Sequence, residues 1–198
     1  MNRFENWFCA SSFWRFATRK QLLPWLLSGV ELGDHVLELG AGPGAATEEL
    51  RKRAPRVTSL EYNHDFAAGI ARRSRGTNGA VVEGDAATLP FPEKKFSSAI
   101  AILVLHHLRS EEAQDRAFAE LFRVLRPGGV LVAFDIPDGW LNRVMHIRST
   151  FVPVAPLTAP ARLAAAGFSR VSLNFRRGAF RLRAERPLNT DNSSLNAR

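Results

Sequence analysis

Apolar and polar positions divide the chain into short aliphatic runs separated by stretches of helical spacing. His35–Leu39 is an apolar run ending in glycines, and it predicts a buried strand. Arg56–Glu61, Ala80–Glu83 and Val130–Phe134 predict further strands. Ser97–Leu105 is too continuously aliphatic for a half-exposed strand and predicts a parallel one covered on both faces. Between the runs, Pro43–Arg53 and Asp65–Arg73 read as helices. A longer helix is capped by Ser110, has Glu111 and Glu112 in its first turn, and turns Phe118, Leu121, Phe122 and Leu125 to one face. Residues 3–29 read as helical with a break near Pro24, and Pro127-Gly128-Gly129 reads as a turn into the fifth strand. Residues 137–156 read as irregular. Leu157–Ala166 is a short helix ended by Gly167, and Arg170–Phe175 with Ala179–Ala184 forms a hairpin around Arg177-Gly178.

Alternating strands and helices predict one α/β domain, a doubly wound and mostly parallel sheet with a C-terminal antiparallel hairpin. The expected division is a helical segment over 1–29 that docks on the domain or lids it, the domain itself over 30–186, and a disordered tail over 187–198. Ligands of such sheets bind at the carboxyl ends of the strands, and the unusual residues of this chain gather there.

With 198 residues and 45% hydrophobic content, the chain can bury an ordinary core. A single cysteine, Cys9, excludes an internal disulfide framework and any multi-cysteine metal site, and no metal site is expected. No apolar run reaches the roughly 18–20 residues of a membrane span. The N-terminus lacks the apolar run and cleavage site of a signal peptide, so a cytoplasmic location is expected. The net charge of +8 is concentrated in arginines from Arg143 onward. It favours an anionic partner: a lipid head group at a membrane surface, an acidic small molecule, or nucleic acid as the rival.

The first strand runs into Gly40-Ala41-Gly42-Pro43-Gly44, where glycines permit a tight turn and close approach of backbone to a ligand. Glu61 ends the second strand, where a carboxylate can accept from ribose hydroxyls. These two features also fit a dinucleotide site. Glu38 discriminates, because a carboxylate beside the loop repels a pyrophosphate and suits a ligand carrying an ammonium and a sulfonium. Gly84-Asp85-Ala86 adds an acceptor for an exocyclic adenine amine with room for the ring. Leu125-Arg126-Pro127-Gly128-Gly129 precedes the fifth strand.

Together the stretches VLELGAGPGAAT (36–47), LEYN (60–63), GDAATLPF (84–91), LVLHHL (103–108) and LFRVLRPGGVLVAFD (121–135), with a weaker AAGF (165–168), resemble the class I S-adenosylmethionine-dependent methyltransferases of the ubiquinone and menaquinone biosynthesis group. The resemblance covers residues 34–175 and implies a Rossmann-like fold, with S-adenosylmethionine as cofactor and S-adenosylhomocysteine as product. It assigns the methionine part to Glu38, Gly40, Ala41 and Gly42, and the lining of its end to Ile102 and Leu103. The ribose falls to Glu61, the adenine face to Tyr62, and the adenine edge to Asp85 and Ala86. Where the group often has an aspartate after Phe96, this chain has Ser97.

His106 and His107 read either as a general base facing the acceptor or as packing and capping residues. His146 and Asp138 are candidates for acceptor contact. Phe4, Trp7, Phe8 and Trp14 form an aromatic stripe with Phe13 and Phe16 off it, expected to roof the acceptor pocket, meet a membrane or simply pack. Trp7, Trp14, Trp140, His146 and Arg148 are the expected acceptor residues, for a small apolar or amphipathic, lipid-like and anionic molecule. An RNA- or protein-directed methyltransferase and a dinucleotide-dependent reductase are the alternatives.

Overall fold

The computed structural model describes residues 3–188, the side chains of residues 3, 4 and 6 aside. The tail expected over 187–198 therefore lies almost wholly outside the described residues, as does the side chain of Phe4.

The N-terminal segment is a chain of short pieces: α1 (Arg3–Ala10), α2 (Ser12–Ala17), a π-helical turn (Thr18–Leu22) and α3 (Leu23–Leu26). Ser11 divides the first two by accepting from the Trp14 backbone N–H, so its side chain caps α2. Pro24 stands in the first turn of α3, where its missing N–H costs nothing.

The domain continues through β1 (His35–Leu39), α4 (Ala45–Leu50), β2 (Arg56–Glu61), α5 (His64–Ser74), β3 (Gly79–Glu83) and β4 (Phe96–Ile102). A single 3-10 turn (Leu105–His107) precedes α6 (Glu111–Val124), β5 (Leu125–Asp135), α7 (Trp140–Met145), α8 (Ala159–Ala165), β6 (Ser169–Arg176) and β7 (Ala179–Glu185). The sheet order is β3-β2-β1-β4-β5-β7-β6, with β7 antiparallel to both its neighbours. Strand order reverses between β1 and β4, and the crevice above that pair is where such sheets hold ligands.

One core lies on each face. Leu37, Leu39 and Ala101 pack with Phe118 and Leu121 of α6 and Leu163 of α8 on one side. Val36, Ile100 and Val132 pack with Leu23 and Leu26 of α3 and Leu50 of α4 on the other. Each strand of the central pair is buried on both faces, which is why its sequence is a continuous apolar run.

Three expectations change. The run Ser97–Leu105 is not one strand: β4 ends at Ile102, Leu103 takes φ +51°, and the chain folds into the 3-10 turn. Pro127-Gly128-Gly129 does not precede the fifth strand but bulges within it, since the β4–β5 register slips between Phe96 and Ser98 while Gly128 adopts φ +77°. Residues 137–156 contain α7, whose mixed apolar and polar residues hide a helix of one and a half turns. The serine at position 97 ties the start of β4 to the segment before β1: its hydroxyl accepts from the His35 N–H at 2.9 Å and lies 2.8 Å from the Leu32 carbonyl, to which Ser98 also donates at 2.8 Å. Among the described residues, no helix is long and apolar enough to cross a membrane.

Candidate active site

The glycine loop leaves β1 with Gly40, Gly42 and Gly44 all at positive φ. The N–H groups of Gly40 and Ala41 both point to the Leu60 carbonyl, at 2.9 and 3.2 Å, which pins the loop to the end of β2. A Cβ on Gly42 would meet no atom within 4 Å, so here the loop offers bare backbone to open space.

Glu38 is buried beneath this loop and accepts from the hydroxyls of Thr47 and Ser59, each at 2.6 Å. Burial pushes its carboxyl up to about 7, against the opposing pull of those two hydrogen bonds and with help from the nearby Glu61 charge. Glu61 binds the loop from the side: Oε2 accepts from Gly42 N–H at 2.7 Å and Oε1 from Asn63 N–H at 2.8 Å. Both oxygens keep lone pairs for a ribose, since a carboxylate offers about four acceptor sites. Tyr62 is 68% exposed beside it, leaving a ring face uncovered. Asp85 accepts from Ala87 N–H at 2.9 Å and so fixes the turn in which Ala86 is buried.

A cavity of about 210 Å³ opens from the loop. Glu38, Gly40, Ala41, Gly42, Ile102 and Leu103 form its inner wall, and Phe8, Cys9, Trp14 and Thr18 of the N-terminal segment form another. His106, His107, Ile136, Met145 and His146 line it as well. Burial, with some help from the Glu5 charge, pushes the Cys9 thiol up to about 11, which leaves it a thiol rather than a thiolate near neutral pH. Of the expected acceptor residues, Trp14 and His146 line the cavity. Trp7, Trp140 and Arg148 do not: Trp7 and Trp140 are 66% and 77% exposed, and Arg148 sits at φ +64° just beyond α7. α7 turns Asn142 and Met145 inward, so Trp140 faces out. Asp138 pairs with Arg143 through two bonds of 2.7 Å.

His106 is 1% exposed, and its Nδ1 lies 2.5 Å from Oδ1 of Asp135, which ends β5 beside β4. The same carboxylate accepts from Ile136 N–H at 2.8 Å. His107 has Nδ1 3.0 Å from the Thr150 carbonyl. Burial first, and the neighbouring His106 second, bring its pKa down to about 3, so it is neutral over the ordinary pH range. Asp135 closes one of the quoted stretches and was given no role by sequence reasoning; a carboxylate at the end of the strand beside the two histidines was the available signal.

The groups present fit the expected cofactor. Thr18 Oγ1 is buried, lines the cavity, and has no hydrogen-bond partner among the described residues, a polar atom waiting for a ligand. It stands at the start of the π-helical turn, where Leu23 N–H reaches back to its carbonyl. The Glu38 carboxylate on the inner wall complements a cationic ligand. A pH dependence with two opposite signs follows. The folded carboxyl has its pKa raised above the ordinary 4.5, so across about pH 4.5 to 7 the native state holds a proton that the unfolded chain has lost, and stability falls as pH rises through that window. Affinity for the cationic cofactor instead rises toward pH 7, by at most about tenfold per unit, and levels off above. Calorimetric binding and urea unfolding at about pH 5 to 8 check both, and Glu38→Gln is expected to flatten both.

The strand order, the glycine loop and the acid at the end of β2 define a class I methyltransferase domain dependent on S-adenosylmethionine. Its sequence is similar to those of methyltransferases of quinone biosynthesis. Residues 37–133 match the family model described as a methyltransferase domain. The chain is 35% identical over 120 residues to a demethylmenaquinone methyltransferase of Corynebacterium kroppenstedtii, covering 61% of this chain and 47% of that protein. It is 36% identical over 137 residues to the demethylmenaquinone methyltransferase of Mycolicibacterium paratuberculosis, covering 68% of this chain and 54% of that one. The chain thus spans about half the length of the curated relatives it matches. Among solved structures, the N-methyltransferase NodS of Bradyrhizobium japonicum, in complex with S-adenosyl-L-homocysteine, superposes with a TM-score of 0.72 at 21% identity over 91% of each chain, a likeness of fold.

Proposed function

We propose that this domain transfers the methyl group of S-adenosylmethionine to a small, lipid-like ring acceptor of the reduced quinone type. The observation that carries this reading is a single cavity shared by the glycine loop and by a wall of aromatic, aliphatic and histidine side chains. Phe8, Trp14, Ile136 and Met145 suit a flat apolar body, at about 25 cal/mol for each Å² removed from water. The demethylmenaquinone methyltransferases among its relatives support the same class of acceptor.

When bound, the cofactor supplies an electrophilic methyl on a sulfonium whose departure leaves a neutral thioether. What the chain must add is therefore positioning and exclusion of water. Glu38 and the glycine loop hold the cationic end, Glu61 the ribose, and Tyr62, Asp85 and Ala86 the adenine. Leu103, held at φ +51° with its N–H donating to the Phe134 carbonyl at 2.8 Å, lines the cavity beside the glycine loop's residues. His106 is oriented by Asp135, which makes it the better of the two histidines to take a hydroxyl proton from the acceptor. Residues of α1 and α2 roof the cavity, and exposed Trp7, Phe13 and Phe16 beside Arg15, Arg19 and Lys20 suit contact with an anionic lipid surface that delivers the acceptor.

The test is methyl transfer from labelled cofactor to a reduced naphthoquinone, with and without an isoprenoid tail, presented in anionic vesicles at about 50–200 mM salt. Label is expected in the quinol with shallow salt dependence, and Trp14→Ala is expected to lower the rate about tenfold or more, about 1.4 kcal/mol or more of acceptor positioning. Label entering RNA instead, with binding that collapses as salt rises, would overturn the acceptor assignment.

A further inference from the structure

Three imidazoles converge on the acceptor side of the cavity. His106 and His107 share the turn after β4, and His146 follows α7. One ring nitrogen of each lies within 4.8 Å of those of the other two. In every ring the Nδ1 is already committed to an oxygen: Asp135 Oδ1 at 2.5 Å for His106, the Thr150 carbonyl at 3.0 Å for His107, and the Asn142 carbonyl at 2.6 Å for His146. All three partners are acceptors, so each Nδ1 carries the hydrogen and each Nε2 is left with its lone pair. Metal-binding histidines are prepared in this way, with an outer carboxylate or carbonyl fixing tautomer and ring orientation.

A carboxylate stands in the same place. His146 Nε2 lies 3.7 Å from Oε1 of Glu5, whose side chain is 8% exposed, so an ion among the three rings would also meet an anionic oxygen.

We propose that His106, His107 and His146 bind one divalent transition-metal ion of the zinc type, with Glu5 as the adjacent carboxylate. Three neutral imidazoles select this class over magnesium or calcium, which take oxygen ligands. The site rests on the methyltransferase reading in one respect: the remaining coordination position opens on the cavity, where an oxygen of the acceptor takes it; with His106 Nε2 on the ion, the ion and not that nitrogen then favours loss of the acceptor's proton, which passes to solvent. Side-chain adjustment is required, because metal–nitrogen bonds are about 2.0–2.1 Å and the three nitrogens must close on a common centre. The ligands come from two segments far apart in sequence, so no motif spacing announces the site.

The experiment uses untagged protein stripped with chelator, titrated with cobalt(II) and zinc(II), with S-adenosylhomocysteine binding measured in the same samples. The expected result is one ion per chain, a visible cobalt spectrum of low-symmetry four- or five-coordinate type, and displacement by zinc. His146→Ala is expected to lose at least about 100-fold in metal affinity, and Asp135→Asn the roughly 10–100-fold typical of an outer partner. Both should keep cofactor affinity within about threefold. Metal binding that is absent, that is weak at more than one site, or that survives in both His146→Ala and His107→Ala overturns the proposal. Loss of cofactor binding with metal binding intact would instead count against the methyltransferase reading alone.

Discussion

Asp135→Ala is expected to destabilise the domain by about 3–5 kcal/mol, the cost of stranding a buried partner. Asp135 is fully buried and accepts from the His106 ring and from Ile136 N–H, while its backbone pairs with Phe180 across the β5–β7 ladder. Alanine leaves a buried imidazole N–H and the backbone N–H groups of His106 and Ile136 without this acceptor. Asp135→Asn separates structure from chemistry. The amide oxygen can take the place of Oδ1 and serve both the ring and Ile136, while the NH₂ falls opposite the His106 backbone N–H and the negative charge that would steady a proton arriving on His106 is gone. Asparagine should therefore cost only about 1–2 kcal/mol of stability while lowering methyl transfer about 10²–10⁴-fold. Urea unfolding and single-turnover rates measure the two separately. Equal, small effects of both substitutions on both readouts would show that the pair is mere packing.

Gly40→Ala is the second large effect. The backbone at Gly40 has φ +67°, which costs an L-residue about 1–2 kcal/mol. The new methyl would also stand 2.3 Å from Val104 Cγ2 and 2.6 Å from Val104 Cβ. Neither atom is the end of a long side chain, so the overlap moves backbone and adds about 1–3 kcal/mol. Val104 lies between Leu103 and the histidine turn, and its displacement disturbs both walls of the cavity at once. Loss of cofactor affinity of at least about 100-fold is expected, about 2.7 kcal/mol. Gly40→Ala with Val104→Gly removes the overlap and should recover part of the stability. Gly42→Ala, with open space around its Cβ, should fold nearly as well and still bind cofactor poorly. Calorimetry and thermal unfolding of the four proteins decide whether the loop is tuned for ligand or for packing.

The cofactor half of the site was legible in the sequence because its parts are local. A glycine loop, the acid two residues before it and the acid ending the next strand keep their meaning wherever the sheet lies. The central strands of the parallel region were legible for a similar reason, since burial on both faces writes itself as continuous apolar runs. The acceptor half was not legible in this way. His106, Asp135, His146 and Glu5 come from four places in the chain, and only the β4–β5 ladder and the docking of α1 bring them together. Trp140 was attractive as a large aromatic near the strand ends, yet one and a half turns of α7 suffice to rotate it outward while Met145 turns in. Pro127-Gly128-Gly129 carried the composition of a turn, and only the slipped register shows the same residues as a bulge inside a strand.

The roof over the cavity has a consequence for how the chain is made. α1 is made before the segments that anchor the helical region: Ser149 donates to Glu5 at 3.0 Å across 144 positions, and Arg181 donates to the Ser28 carbonyl at 2.9 Å across 153. Loop closure over such separations is slow, and it waits for synthesis of nearly the whole chain. During that interval Phe8 and Trp14 have no finished cavity to cover. The nascent helical segment is thus open to chaperones and to mispairing, and the speed of elongation through the rest of the domain sets how long it stays so.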